Sequence, residues 1–343
     1  MIKVCQRGTE LALSPGKRKG LQAVSNPRGV IAAMAIDQRD ALRGLFAAEL
    51  KVAKDSIPRE QLEEFKSIVV RALSPYASAV LLEPEYGLQA ASERHPSSGL
   101  LMAYEESGYD RGDARRLPRL LERWSVRRLI DAGADCIKIL LYYALSDAPD
   151  VQERKRAWVE RVGAECAGCD VPFFLEIVPY QEGVDEKSAA FARCKPAILA
   201  SAMEEFSQPQ YLVDVLKVGV PVTMAYLEGS GNSDGVFVHT RVEALELFRR
   251  TATATAKPFL FLSAGVSNRA FSEALALACD AGVQYRGVLC GRATWKDGVG
   301  VFVRGGESAL REWLETEGVQ NMKSINESLA CATPWSEKYL ANG

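Results

Sequence analysis

Short apolar runs recur along the chain with room for helices between them, and this alternation restricts the fold more than any other feature. The runs are "GVIAAMAID" (29–37), "SAVLLEPEYG" (78–87), "GLLMAYE" (99–105), "DCIKILLYY" (135–143), "VPFFLEIVPY" (171–180), "VDVLKVGVP" (213–221), "KPFLFLSAGVS" (257–267) and "RGVLCGRATW" (286–295). Intervening stretches such as 59–73, 120–132, 151–168, 196–207, 241–255 and 268–282 carry apolar residues at helical spacing. Strands that are apolar throughout are buried on both faces, as in a parallel sheet covered by helices. Eight strand–helix units in about 300 residues fit a closed (β/α)8 TIM barrel, of the α/β class, better than an open doubly wound sheet. No glycine-rich phosphate loop follows the first run, which weakens the open-sheet alternative. The expected organisation is one barrel domain over 29–343, preceded by a helical extension in 1–28 with its helix around residues 11–25.

Composition narrows the partners. A net charge of -2 on 343 residues supplies no concentrated basic face, so neither a nucleic acid nor an anionic membrane surface is expected. The apolar runs are too short to span a bilayer, and Met1–Gly20 has charges scattered through it, unlike a secretory leader, so the expected location is cytoplasmic. The eight cysteines are too dilute for a small secreted framework. Cys136 and Cys290 lie inside apolar runs, where a thiol packs as a small hydrophobe. Cys166 and Cys169 in "ECAGCD" lack the second pair or nearby histidines of a zinc site and read as two thiols at a helix end.

In a barrel of this kind the chemistry lies at the C-terminal ends of the strands. Asp37, Gln38 and Arg39 end the first run, Lys138 sits in the fourth, Glu176 in the fifth and Lys217 in the sixth. The last three are flanked by aliphatic residues, which alternation sends to the opposite face, so all three charges face the barrel interior. Such an arrangement is either an ion-pair network filling the barrel or a reactive site. Burial and a second nearby cation both favour the neutral amine of a lysine, which is a nucleophile for carbonyl carbon. Strand pattern alone does not separate the two lysines. Gly219 and Pro221 leave space beyond Lys217, whereas Leu140, Leu141, Tyr142 and Tyr143 follow Lys138, a slight lean toward Lys217. Loops after the seventh and eighth strands of barrels often bind phosphate, and here they offer Ser263, Gly265 and Ser267 in "LSAGVS" and Gly291 and Arg292 in "CGRATW".

The sequence also resembles the class I tagatose 1,6-bisphosphate aldolases, from about residue 10 to beyond 310. The resemblance is carried by "AIDQRDALRGLF" (35–46), "PEYGL" (84–88), "LMAYEESGYD" (101–110), "IKILLYY" (137–143), "PFFLEIVPY" (172–180), "VDVLKVGVPV" (213–222), "LSAGVS" (262–267) and "GVLCGRATW" (287–295). It implies a Schiff-base lysine at Lys217, a proton-transferring glutamate at Glu176, and Asp37 and Lys138 completing the polar site. It implies a sugar-phosphate substrate and no cofactor. A metal-dependent aldolase normally needs several histidines, and His95 and His239 stand in loop-like stretches away from the strand ends, so no metal is expected. The chain departs from the resembled pattern at Glu83 and Ala144, where aspartate is expected, at Gly219, where glutamate is expected, and at Thr223, where asparagine is expected. The alternatives are the same chemistry on a modified sugar such as sulfofructose phosphate, or a barrel that binds sugar phosphate without turning it over. Barrels of this class often associate, so a homo-oligomer is expected.

Overall fold

A computed structural model describes residues 13–109, 113–231 and 235–337. Eight parallel strands close into a barrel in chain order: β1 (Ile31–Ala35), β2 (Ala79–Leu82), β3 (Gly99–Ala103), β4 (Cys136–Tyr143), β5 (Phe173–Pro179), β6 (Val215–Gly219), β7 (Phe259–Leu262) and β8 (Gly287–Cys290). Helix α1 (Pro15–Ala23) precedes the barrel. Then come α2 (Asp40–Leu50) and α3 (Arg59–Leu73) after β1, α4 (Leu88–Glu93) after β2, α5 (Val126–Asp131) after β3, α6 (Pro149–Gly168) after β4 and α7 (Ala189–Glu205) after β5. The circuit is completed by α8 (Arg241–Thr253), α9 (Asn268–Asp280), α10 (Arg292–Trp295), α11 (Gly298–Trp313) and α12 (Val319–Glu327).

Strand alternation divides the apolar residues into two cores. Side chains such as Ile137, Ile139, Leu175, Ile177, Leu216 and Val218 join the shell between the strands and the helices. Their neighbours Cys136, Phe174 and Val215, with Ala33, Ala35, Leu81, Leu101, Ala103, Leu260 and Leu289, fill the barrel interior. Leu21 of α1, Val24 at its cap and Trp335 belong to that interior cluster, and the Trp335 backbone N–H donates to the Gly29 carbonyl at 3.0 Å. The first helix and the C-terminal segment therefore close the end of the barrel where the strands begin. Residues 1–12 of the expected helical extension lie outside the described residues.

Several expected boundaries move, each for a local reason. The eighth apolar run does not stay extended to Trp295: β8 stops at Cys290, and Arg292–Trp295 turn into α10, whose Trp295 donates to the Ala35 carbonyl at 2.9 Å. The expected helix over 120–132 shortens to α5, because Leu120 is paired with Glu105 across an antiparallel bridge and Ser125 caps the first turn at Arg128 N–H. The one expected from 196 begins at Ala189, where Ser188 accepts the Phe191 N–H, and Pro196 lies inside it. Cys166 ends α6 with Cys169 at its cap, as the spacing suggests. Cys279 and Cys331 are joined by a disulfide, with Cα atoms 5.6 Å apart, a pairing that their positions in the sequence do not announce.

Candidate active site

The interior apolar layer sets where charge can stand. Two residues beyond Ala35, Ala103, Cys136, Phe174 and Val215, on the same face of their chains, come Asp37, Glu105, Lys138, Glu176 and Lys217. All five are buried. Glu176 and Lys217 are register partners across β5 and β6, and Lys217 Nζ donates to Glu176 Oε2 at 2.7 Å. The same carboxylate oxygen lies 2.8 Å from Lys138 Nζ. Lys138 Nζ also meets Asp37 Oδ2 at 2.9 Å and Glu105 Oε1 at 2.8 Å.

This geometry separates the two lysines that the strand pattern leaves equivalent. Burial opposes a charge on Lys138, but the carboxylates of Asp37, Glu105 and Glu176 outweigh it and hold the amine well above its ordinary pKa. Lys138 is a fixed cation. Burial pushes Glu176 upward, yet the adjacent charges of Lys138 and then Lys217 prevail and keep it below the usual carboxylate range; Asp37 is lowered by the same contest. For Glu105 burial wins over the attraction of Lys138 and Arg39, and its pKa is raised. One Glu105 oxygen, Oε2, is buried with no hydrogen-bond partner among the described residues.

A cavity of about 340 Å³ opens over this cluster at the C-terminal end of the strands. Asp37, Gln38, Arg39, Glu105, Lys138 and Glu176 line it, with Tyr109 and Tyr142 on one side and Leu262, Ala264 and Arg292 on another. Lys217 does not line it: its ammonium sits behind Glu176, and a Cβ built on Gly219, two residues on, would meet nothing within 4 Å. Gln38 donates to Asp37 Oδ1 at 3.0 Å, while its own carbonyl oxygen is buried without a partner among the described residues.

The expected phosphate-binding residues divide. Arg292 forms part of the wall, and Gly265 lies directly against it, so close that an added Cβ would fall 2.9 Å from the guanidinium carbon. Gly265 has φ +78°, a conformation that favours glycine. Gly291 caps α10 and approaches the Ala35 carbonyl too closely for a side chain. Ser263 is buried and its hydroxyl hydrogen-bonds to the Cys290 sulfur, whose thiol pKa burial nonetheless pushes up to about 12. Ser263, Gly265 and Gly291 thus stand behind the wall formed by Ala264 and Arg292. His95 and His239 lie apart from the cavity, one bonded to Ser97 and the other to the Ala192 carbonyl.

Sequence reasoning missed Glu105, although the count of two from the interior residue Ala103 reaches it as directly as it reaches Lys138 from Cys136. It also missed Tyr109, whose hydroxyl donates to the Leu140 carbonyl at 2.6 Å and whose ring meets Tyr142 edge-on. Nothing in the local pattern of "ESGYD" reveals that contact.

Comparison with known proteins places the chain beside aldolases. Residues 31–297 match the model of the DeoC/LacD family aldolases. The chain is 47% identical over 334 residues to tagatose 1,6-diphosphate aldolase 2 of Enterococcus faecalis, covering 97% of this chain and 99% of that one. It is 44% identical to the tagatose 1,6-diphosphate aldolase of Lactococcus lactis, covering 96% of this chain and all of the other. Among solved structures, the fructose-bisphosphate aldolase of Plasmodium falciparum superposes with a TM-score of 0.64 at 15% identity, covering 92% of this chain and 93% of that chain. A Schiff-base-forming fructose-1,6-bisphosphate aldolase gives 0.52 at 15% identity, covering 87% and 98%.

Proposed function

Because the chain belongs to the DeoC/LacD family of aldolases, we propose that it cleaves tagatose 1,6-bisphosphate to dihydroxyacetone phosphate and glyceraldehyde 3-phosphate through a Schiff base on Lys217. The observation that carries the reading is the Glu176 oxygen shared by Lys138 and Lys217 at 2.8 and 2.7 Å. One of the two amines is locked as a cation by two further carboxylates; the other has a single carboxylate partner among the described residues.

In this mechanism the neutral amine of Lys217 adds to the C2 ketone, and the carbinolamine loses water to give an iminium ion. Glu176, ionised and within hydrogen-bond reach of the nucleophile, transfers the protons of that dehydration. It then accepts the C4 hydroxyl proton as the C3–C4 bond breaks and its electron pair passes to the iminium. Glyceraldehyde 3-phosphate leaves; protonation of the enamine at C3 and hydrolysis release dihydroxyacetone phosphate and restore Lys217. Lys138 provides a standing positive charge for the departing oxygens, and Asp37 and Gln38 offer acceptors to the sugar hydroxyls. Arg292, over Gly265, grips one phosphate, and Arg39 contacts the substrate from the wall that follows β1.

Borohydride reduction in the presence of dihydroxyacetone phosphate leaves an adduct on the peptide containing Lys217, and Lys217→Ala loses both adduct and turnover. A label on Lys138 exchanges the two roles; an active enzyme with neither lysine labelled refutes the Schiff base. Cleavage rates across tagatose, fructose, sorbose and sulfofructose phosphates test the substrate, with tagatose 1,6-bisphosphate expected to give the highest kcat/KM.

A further inference from the structure

The turn after β2 holds a set of charges that the chemistry above does not use. Lys66 on α3 and Glu83, just past β2, are both fully buried and form an ion pair. Desolvating two charges offsets most of their attraction, so stability alone is a poor account of such a pair. What it holds is more specific. Glu83 Oε2 accepts the backbone N–H groups of Glu85 at 2.7 Å and Tyr86 at 3.0 Å. From the other side, Arg59 donates to the Glu85 carbonyl and lies over the Tyr86 ring, 5.0 Å from its centre.

With its N–H and its carbonyl both engaged, Glu85 has a fixed backbone, and its carboxylate meets Arg39 Nη1 at 2.6 Å. Arg39 is buried in the cavity wall, and its Nη2 lies 3.6 Å from Glu105. Its Nε is buried with no partner among the described residues. Carboxylates therefore stand against both Nη atoms of a guanidinium that lines the cavity.

We infer that Lys66, Glu83 and Glu85 are positioning residues that set the orientation of Arg39 for contact with the substrate's distal oxygens. The inference rests on the proposed role of Arg39 in binding the sugar phosphate.

The test is steady-state cleavage of tagatose 1,6-bisphosphate with thermal unfolding measured alongside. Glu85→Gln is expected to raise KM about tenfold, with kcat kept within about twofold and the unfolding midpoint unchanged. Arg39→Ala raises KM at least as much, and adding Glu85→Gln to it produces no further change, because nothing remains to be oriented. The double swap Lys66→Met with Glu83→Met replaces the buried pair by apolar side chains and reproduces the KM of Glu85→Gln; should it not fold, Glu85→Gln decides alone. A normal KM in Glu85→Gln beside a raised one in Arg39→Ala overturns the positioning role and leaves Arg39 in the binding site. A normal KM in Arg39→Ala overturns both. A lowered unfolding midpoint in Glu85→Gln with KM unmoved marks a structural residue and also overturns the inference.

Discussion

Lys138→Met removes one ammonium from among three buried carboxylates while keeping most of the side chain's volume. The three oxygens stand 2.9, 2.8 and 2.8 Å from Nζ. At an effective dielectric of about 20, each such contact is worth about 6 kcal/mol before desolvation is subtracted. Truncating one partner of a buried pair typically costs about 3–5 kcal/mol, because the charge left behind has no counterion. That range is the expected loss of unfolding free energy at pH 7, and its pH dependence carries the sign of the cause. In the wild-type protein Lys138 helps to lower the pKa of Asp37 and Glu176 and opposes the rise of Glu105. Without the ammonium all three move upward, so the folded variant binds protons that its unfolded chain does not, and stability rises as the pH falls from 8 toward 5. The deficit relative to wild type is therefore largest at neutral pH and shrinks on acidification. Urea unfolding of both proteins at pH 5, 6, 7 and 8 measures it. A loss below about 1 kcal/mol at pH 7, or one of the same size at pH 5 and pH 8, refutes the assignment of Lys138 as the cation held by these carboxylates. The same variant turns over slowly but still forms some adduct on Lys217.

Three other perturbations reach different parts of the structure. Arg292→Ala is expected to lower kcat/KM by about 2 kcal/mol through loss of a charge-assisted phosphate contact; unchanged KM and kcat place the phosphate elsewhere. Gly265→Ala reproduces part of that effect without touching the arginine, since the new Cβ would fall 2.9 Å from the guanidinium carbon at φ +78°; a normal KM refutes the packing of these two residues as a phosphate grip. Lys195, whose Nζ is given a carbonyl, that of Val222, at 3.5 Å and no carboxylate among the described residues, is pushed by burial down to about 8. The unfolded chain holds that proton to higher pH, so stability rises between pH 8 and 10; Lys195→Met flattens this slope and stabilises the protein at pH 7 by about 1 kcal/mol, and an unaltered slope counts against it.

The barrel was legible because its signal repeats: each strand is a run too apolar for an amphipathic edge, and the helices between have their own period. Lys138, Glu176 and Lys217 were legible for a related reason, as each interrupts a strand and its aliphatic neighbours disclose which way it points. Glu105 falls after the last paired residue of β3, where alternation still holds but the apolar context has ended, and it passes for a loop acid. Lys66 was not legible at all. On a helix read from its sequence, a lysine between Phe65 and Ser67 looks like part of a solvated face; its burial depends on Glu83, seventeen positions away, meeting it beneath the turn. The end of β8 was misjudged because "GRATW" stays largely apolar as it changes from strand to helix, and only the packing of Trp295 against Phe65 and the Ala35 carbonyl fixes the turn.

The seal at the base of the barrel has a practical side. Leu13, next to α1, and Trp335, near the last described residue, pack on the same interior cluster, at the end opposite the cavity. A support, a fluorophore or a fused protein attached beside Leu13 or Trp335 is therefore held at the underside of the molecule and leaves the mouth facing free solution.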